Sequence, residues 1–310
     1  MFRFKSVHQR TTNQKRDIRD FYGFITPLLI GWVVFLIGPL IYSFYLSLTR
    51  YDVLNAPVFI GFANYARLAN DTRLITALQN TFFYVIVFVP LSTLLALVLA
   101  MLLHQVRWGK GLFRSIFYLP AIMPLVSTTL LFTWVFNYKY GPINLVLRFL
   151  HLTPIPWLSD VIFMKPSLII MAMWGFGASM LIFLAGLQAI PAEYYEASAI
   201  DGASSWKQFW KITLPLLSPT TLFVVLTKVI AAFQVFTTAY MLTSGTGGPK
   251  DALMFVVLYL YNHAFKLGNF GYGSAIAWML AIIIAIFTIV SLRVSDRYVY
   301  YELSSQDTKS

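Results

Sequence analysis

Six times along this chain, between 24 and 38 consecutive residues pass with at most one charged side chain. Uncharged runs separate Asp20 from Arg50, Arg73 from Arg107, Arg114 from Lys139, Lys165 from Glu193 and Lys266 from Arg293, while the stretch 212–249 carries only Lys228. Each exceeds the roughly 20 residues that take an α-helix across a hydrocarbon core about 30 Å thick. Inside a bilayer every backbone N–H and C=O must find a partner in the protein, so such stretches have to be helical. The expected spans are about 22–48, 78–103, 113–136, 167–189, 217–241 and 271–292. Composition agrees, with 11% charged residues against about 25% in an ordinary soluble domain. A soluble enzyme is excluded, and the fold class is an all-α membrane protein with six spans. The first run is too long for the apolar core of a secretory signal and lacks a small-residue cleavage site, so it reads as a retained span.

The net charge is +11. On a soluble chain this excess would suggest nucleic acid, but in a membrane protein it sets orientation, because cytoplasmic loops are enriched in Lys and Arg. No nucleic-acid partner is expected. With both ends in the cytoplasm, that side receives Arg3, Lys5, Arg10, Lys15, Arg16 and Arg19 in a tail 1–21. It also receives Arg107, Lys110, Arg114, Lys207 and Lys211, and Arg293, Arg297 and Lys309 in a tail 293–310. These are 14 residues, against eight on the other side: Arg50, Arg67, Arg73, Lys139, Arg148, Lys165, Lys250 and Lys266. The chain has no cysteine, which removes disulfides, thiolate nucleophiles and zinc–thiolate sites.

Prolines 27, 39, 90, 120 and 124 fall inside the apolar runs, and the LPAIMP segment (119–124) is the expected place for a broken span. Between spans three and four, INLVLRFL (143–150) fits a short interfacial helix and fits an ordinary packed loop equally well. After span five, TSGTGGPK (243–250) is a turn cluster, and the apolar run 253–261 is too short to cross. A re-entrant or interfacial helix is expected over 251–265.

The segment 190–215, IPAEYYEASAIDGASSWKQFWKITLP, is the most structured stretch outside the spans. Pro191 suits a helix start and Glu193 its first turn, where a carboxylate meets the positive end of the helix dipole. Gly202 can end that helix in a left-handed conformation. A second helix restarts with Ser205 and Gln208 at capping-box spacing, with Trp206, Phe209 and Trp210 on one face and Lys207 and Lys211 on another. The result is a two-helix hairpin over 191–211. Its face with Glu196, Ala197, Ser198 and Gly202 carries little bulk, so another protein can approach it closely. A lipid-facing amphipathic loop is the plainer alternative.

The same stretch resembles the signature of the permease subunits of bacterial binding-protein-dependent ABC importers: Glu-Ala-Ala, three residues, Gly, nine residues, then Ile-x-Leu-Pro. Glu196, Ala197 and Ser198 open it, Gly202 falls at the required interval with Asp201 before it, and Ile212, Leu214 and Pro215 close it. Ser198 replaces the second alanine, a small-for-small change. GFANY (61–65), FRSIFYLPAIMP (113–124) and TSGTGGP (243–249) extend the resemblance over almost the whole chain, towards the first permease of the carbohydrate-uptake subfamily, the maltose and glycerol-3-phosphate type. The large periplasmic insertion of some maltose-type subunits is absent.

The resemblance implies the type I importer fold in the inner (plasma) membrane. It also implies three partners: a second, non-identical permease, a cytoplasmic ATPase dimer and an extracellular or periplasmic solute-binding protein. The solute would be a sugar, glycoside or related polyol. The hairpin residues Glu193, Glu196, Ala197, Ser198, Asp201, Gly202 and Ala203 would couple to the ATPase.

The sequence itself contains no GxxxxGK[ST] phosphate loop, since GTGGPK has the wrong spacing, and its four histidines are scattered. No catalytic residue, metal or cofactor is therefore expected on this chain, with ATP and Mg held by the partner ATPase. A substrate path is sought among unusual residues within spans: Trp174 and Phe233 to stack on a sugar, Gln234, Thr237 and Thr238 to hydrogen-bond it, and Lys228, whose charge is costly in a bilayer. Interhelical packing is the plainer role for each. A stand-alone secondary carrier or channel is the rival class, but no acidic residue falls inside the expected spans to relay ions. An intramembrane enzyme would need paired acids or an activated nucleophile, and none is present.

Overall fold

A computed structural model describes residues 12–298, and side chains from 19 to 295. Much of the two expected tails, with Arg3, Lys5, Arg10 and Lys309, lies outside the described residues. The first helix already begins at Thr12, within the segment expected as tail. It runs to Trp32, passes through a π-helical turn Val33–Ile37 and continues as Gly38–Ser47. Span two is the uninterrupted helix Thr72–Gln105. Span three is two helices, Lys110–Ile122 and Leu125–Val135, bent by 95°. Span four is also two, Val161–Met173 and Gly177–Ala189, bent by 49°. Span five comprises Ser218–Phe233 and Thr237–Thr243, and span six is Phe270–Tyr298.

The break in span three falls at Met123–Pro124. Met123 is extended (ψ 135°), as the residue before a proline prefers, and Pro124 caps the second half. The break in span four was not expected, because no proline marks it. Span four also starts earlier than expected, at Val161, so Lys165 lies within the helix with its ammonium 5.2 Å from the Phe83 ring centre.

One end of the bundle is rich in loops. There Thr49–Arg50 pairs antiparallel with Val58–Phe59, and Ala63–Asn70 forms a short helix. Asp71 starts span two by accepting the N–H groups of Arg73 (3.2 Å) and Leu74 (3.1 Å), donors a helix start leaves free. The same carboxylate receives the hydroxyls of Tyr272 (2.6 Å) and Tyr259 (2.7 Å). Burial works against its charge, but these hydroxyls and the Leu74 N–H outweigh it and hold the carboxyl below its ordinary value. One side chain thus ties together span two, span six and the segment between spans five and six.

The apolar run of that segment is largely buried in the protein, while Phe265 and Leu267 beyond it are exposed. Leu253, Met254, Val256 and Leu258 have no exposed surface, packed in a cluster with Leu74, Ala77, Met164 and Ile276. The short helix Val256–Tyr261 is therefore part of the core at the loop-rich end. A second cluster lies at the other end, where Ala96, Ala100 and Leu103 of span two meet Met180, Phe183 and Leu187 of span four and Val224 of span five. The alanines let the helix backbones approach closely. Between spans three and four, Pro142–Phe149 is a helix whose buried Asn144 donates to Ile155 O (2.9 Å) and accepts from Ile155 N (3.0 Å), while Leu145, Val146 and Phe149 stay exposed. It is both anchored to the protein and apolar outside. Span one is almost wholly exposed and leans on span six through Phe44 and Trp278, with Trp278 Nε1 donating to Ser43 Oγ.

The turn cluster TSGTGGPK needs external fastening. Ser244, Lys250 and Asp251 have φ of 50°, 51° and 56°, uncommon for residues with a Cβ. Arg73 donates from Nη2 to Asp251 Oδ1 (2.7 Å) and from Nε to Oδ2 (2.9 Å), and Asn80 donates to the backbone oxygens of Asp251 and Met254. Arg73→Ala is expected to raise amide exchange at 245–251 while lowering overall stability by no more than about 1 kcal/mol, since the pair is partly exposed. Unchanged exchange in this loop would show that Arg73 does not hold it.

Candidate functional site

Two features stand apart from the apolar bundle. The first is the hairpin. Helix Ala192–Ile200 begins after Pro191 and carries Glu193, Glu196 and Ala197 exposed. It ends at Asp201 and Gly202. Gly202 has φ 74°, its N–H donates to Ala199 O, and the Ala203 N–H reaches back to Ser198 O (2.9 Å). This is the closed helix end that a left-handed glycine permits. A Cβ on Gly202 would meet nothing within 4 Å. Its surroundings are therefore open on the outside of the hairpin. Ala203, half-buried, turns back toward the second helix.

The second helix starts at Ser205, one residue earlier in phase than a Ser205–Gln208 capping box requires. Ser204 is the cap, its Oγ accepting the Lys207 N–H at 3.4 Å. Gln208 is thereby free for another task. Its amide donates to Ser198 Oγ (2.9 Å) and to Tyr195 O (3.3 Å), while the Tyr195 hydroxyl meets Thr213 Oγ1 at 2.9 Å. Ser198 is more than a small filler, because an alanine there would remove the hydrogen-bonding partner that latches the two helices. Ile212, Leu214 and Pro215 are half-buried where the second helix runs through a π turn into span five. Trp206, Phe209 and Trp210 form a ring cluster with centres 5.2–6.0 Å apart, Trp206 and Trp210 largely exposed.

The second feature is a pocket of about 260 Å³ inside the bundle. It is made where the helices break. Span five is interrupted at 234–236, and Gln234, Thr237 and Thr238 line the gap, with Thr238 Oγ1 3.5 Å from Thr129 Oγ1. Thr128 and Thr129 come from just after the 95° bend in span three. Tyr84 and Phe88 of span two complete it as a stacked pair, ring centres 5.0 Å apart and 9° from parallel. A few hydroxyl and amide side chains thus share a mostly apolar lining with an aromatic pair. That combination suits the polar edges and apolar faces of a small hydroxylated molecule.

Of the residues expected on a substrate path, Gln234, Thr237 and Thr238 line this pocket. Phe233 does not. Its ring is 1% exposed, wedged between Phe82 and Phe287 in the core. The rotation of one helical position separates it from Gln234. Trp174 stands at the break of span four, edge-on to Phe132 at 5.9 Å, and does not line the pocket. Lys228 lies one helical turn before Ala231, its ammonium donating to Ser92 Oγ (3.1 Å) and sitting 5.5 Å from the Phe88 ring centre. Tyr84, Phe88, Thr128 and Thr129 were missed by sequence reasoning. The i, i+4 spacing of Tyr84 and Phe88 and the two hydroxyls after Pro124 were the available signals.

Residues 92–299 match the family model described as binding-protein-dependent transport system inner membrane component. A probable ABC transporter permease protein YesP of Bacillus subtilis is 37% identical, over 95% of this chain and 96% of its own length. The trehalose/maltose transport system permease protein MalF of Thermococcus litoralis is 36% identical, over 90% and 94%. The lactose transport system permease protein LacF of Rhizobium radiobacter is 33% identical, over 89% and 95%. In fold, the chain matches a subunit in the crystal structure of a bacterial ABC transporter involved in the import of the acidic polysaccharide alginate. The TM-score is 0.80 at 20% identity, covering 93% of this chain and 98% of that one.

Proposed function

The chain belongs to the family of binding-protein-dependent transport system inner membrane components, and from that premise we propose how its hairpin and its pocket divide the work of import. It is a multi-pass membrane protein and the permease subunit of an ABC importer. Its solute is a saccharide or related polyol, a reading supported by the sugars named for its relatives and by the hydroxyl-and-aromatic lining of the pocket. A solute-binding protein delivers the solute at the loop-rich end, a second permease completes the passage, and both termini face the cytoplasm.

ATP and Mg are handled by a cytoplasmic ATPase dimer, and this chain carries no catalytic group. The observation that carries the proposal is the hairpin. Glu196, Ala197 and Gly202 are exposed on a rigid, latched unit that continues into span five, whose far half lines the pocket. A push on the hairpin is thus passed through the Ser198–Gln208 latch and along the first part of span five to the pocket. Glu193, Glu196, Ala197, Ser198, Asp201, Gly202 and Ala203 form the coupling surface, with Ile212, Leu214 and Pro215 joining it to the span.

The test is reconstitution of the full complex in proteoliposomes with its binding protein and a saccharide panel. Uptake that requires both ATP and the binding protein is expected, whereas uptake by this chain alone would establish a carrier. In the same assay Gln234→Ala should raise the solute concentration for half-maximal uptake by about tenfold, the loss of roughly one good hydrogen bond, with the complex still assembled. Unchanged uptake kinetics would remove Gln234 from the site.

A further inference from the structure

Lys228 is a charge placed where charges are expensive. Inside a bilayer an ammonium persists where it faces protein or water and finds partners. Its partners here are all neutral. Nζ donates to Ser92 Oγ, and that hydroxyl lies 3.2 Å from Val89 O, to which it donates in turn. The Phe88 ring face lies 5.5 Å away. Among the described residues no carboxylate comes within ion-pairing distance of this ammonium, the ion pairs there being Arg19–Asp20 and Arg73–Asp251. The amine has three N–H groups, and Ser92 accounts for one. The position is not incidental to the pocket. Phe88 is shared between the ammonium and the pocket wall, and Ala231 and Ala232, three and four residues further along the helix, line the same pocket. Lys228 itself lies just outside the pocket lining, about one turn nearer the hairpin along span five.

We propose that the imported saccharide carries a carboxylate, as a uronic acid does, and that Lys228 is its counter-ion during passage. This rests on the reading of the chain as a saccharide importer and narrows its substrate class. A neutral sugar would gain little from an ammonium, and the pocket lining already offers its hydroxyls Gln234, Thr237 and Thr238. A carboxylate supplies the missing negative charge and two acceptor oxygens for the remaining N–H groups. One ammonium neutralises one carboxylate but leaves a phosphate ester largely uncompensated.

The experiment uses the complete reconstituted complex and three probe pools: uronate oligosaccharides from digested pectin, glucuronoxylan and alginate, the same pools after chemical reduction of their carboxyl groups, and sugar phosphates. Internalised species are counted by mass spectrometry. Wild type is expected to favour the uronates over their reduced counterparts. Lys228→Met and Lys228→Gln should lower that preference by about tenfold, the worth of a charge-assisted hydrogen bond, and Lys228→Arg should retain most of it. Equal uptake of native and reduced pools, uptake of sugar phosphates alone, or equal loss of both pools in the variants would overturn the proposal. So would loss of assembly in Met and Gln variants but not in Arg, which would place the counter-ion in the second permease. ATP-dependent uptake of none of the pools would overturn the saccharide reading itself.

Discussion

Gly202→Asp is expected to lower coupled solute import by about a hundredfold, the equivalent of losing about 2.7 kcal/mol of docking at the centre of an interface. The size follows from where Gly202 sits. Its φ of 74° carries a strain of about 1 kcal/mol for a residue with a Cβ, which the hairpin survives because its latch is made elsewhere, through Gln208, Ser198, Tyr195 and Thr213. A Cβ added there meets nothing of its own chain within 4 Å, so the side chain starts into open space on the outside of the hairpin, where a partner would seat. Gly202→Asn separates the two effects, because asparagine tolerates the left-handed backbone while still adding bulk. Import close to wild type in Gly202→Asn would mean that glycine serves the turn alone and that no partner seats there. Glu196→Lys provides a second check on the same surface. The residue is exposed, so folding should be kept while import falls, and wild-type coupling would count against the docking face.

The second large effect is expected at Gly177, on folding rather than coupling. A Cβ there would lie 2.8 Å from Tyr118 Cα and 2.9 Å from Phe117 C, both backbone atoms of the first half of span three. Backbone in a packed helix cannot swing aside as a side chain does, so Gly177→Ala should cost about 2–3 kcal/mol, at the upper end for overpacking by one methyl group. Thermal unfolding of the purified complex in detergent measures it. Gly186→Ala, crowded by the side chains of Thr220 and Leu217, should cost less, and Gly31→Ala, with nothing within 4 Å, should cost nothing. Equal melting temperatures for the Gly177 and Gly31 variants would show that spans three and four do not approach so closely.

Gly177 also lies just past the bend in span four. The chain passes span three at a point where only a glycine fits, and the 49° change of direction at Trp174–Phe176 brings the second half against span two. Nothing local announces this, since WGFG contains no proline. By contrast, the break at Met123–Pro124 was legible, because proline acts on its own neighbours whatever the tertiary context. The hairpin was legible for a similar reason: Pro191, Glu193 and Gly202 act within a turn or two of themselves. Its latch was not. The expected Ser205–Gln208 pairing failed because the second helix begins one residue out of phase, and Gln208 found Ser198 ten residues back instead.

By itself, the sequence determined that the chain is a bundle of long apolar helices with a capped polar hairpin between the fourth and fifth. Charge-free length and local capping chemistry suffice for that. Only the tertiary structure decided which side chains face one another. Phe233 entered the core while Gln234 opened onto the pocket, Trp174 stood aside, and the run 253–261 was buried rather than laid on the membrane. The reason is physical. In water an apolar stripe reveals which face of a helix turns inward, but in a bilayer lipid and core are equally apolar, so the inward face leaves no periodic mark and packing alone selects it.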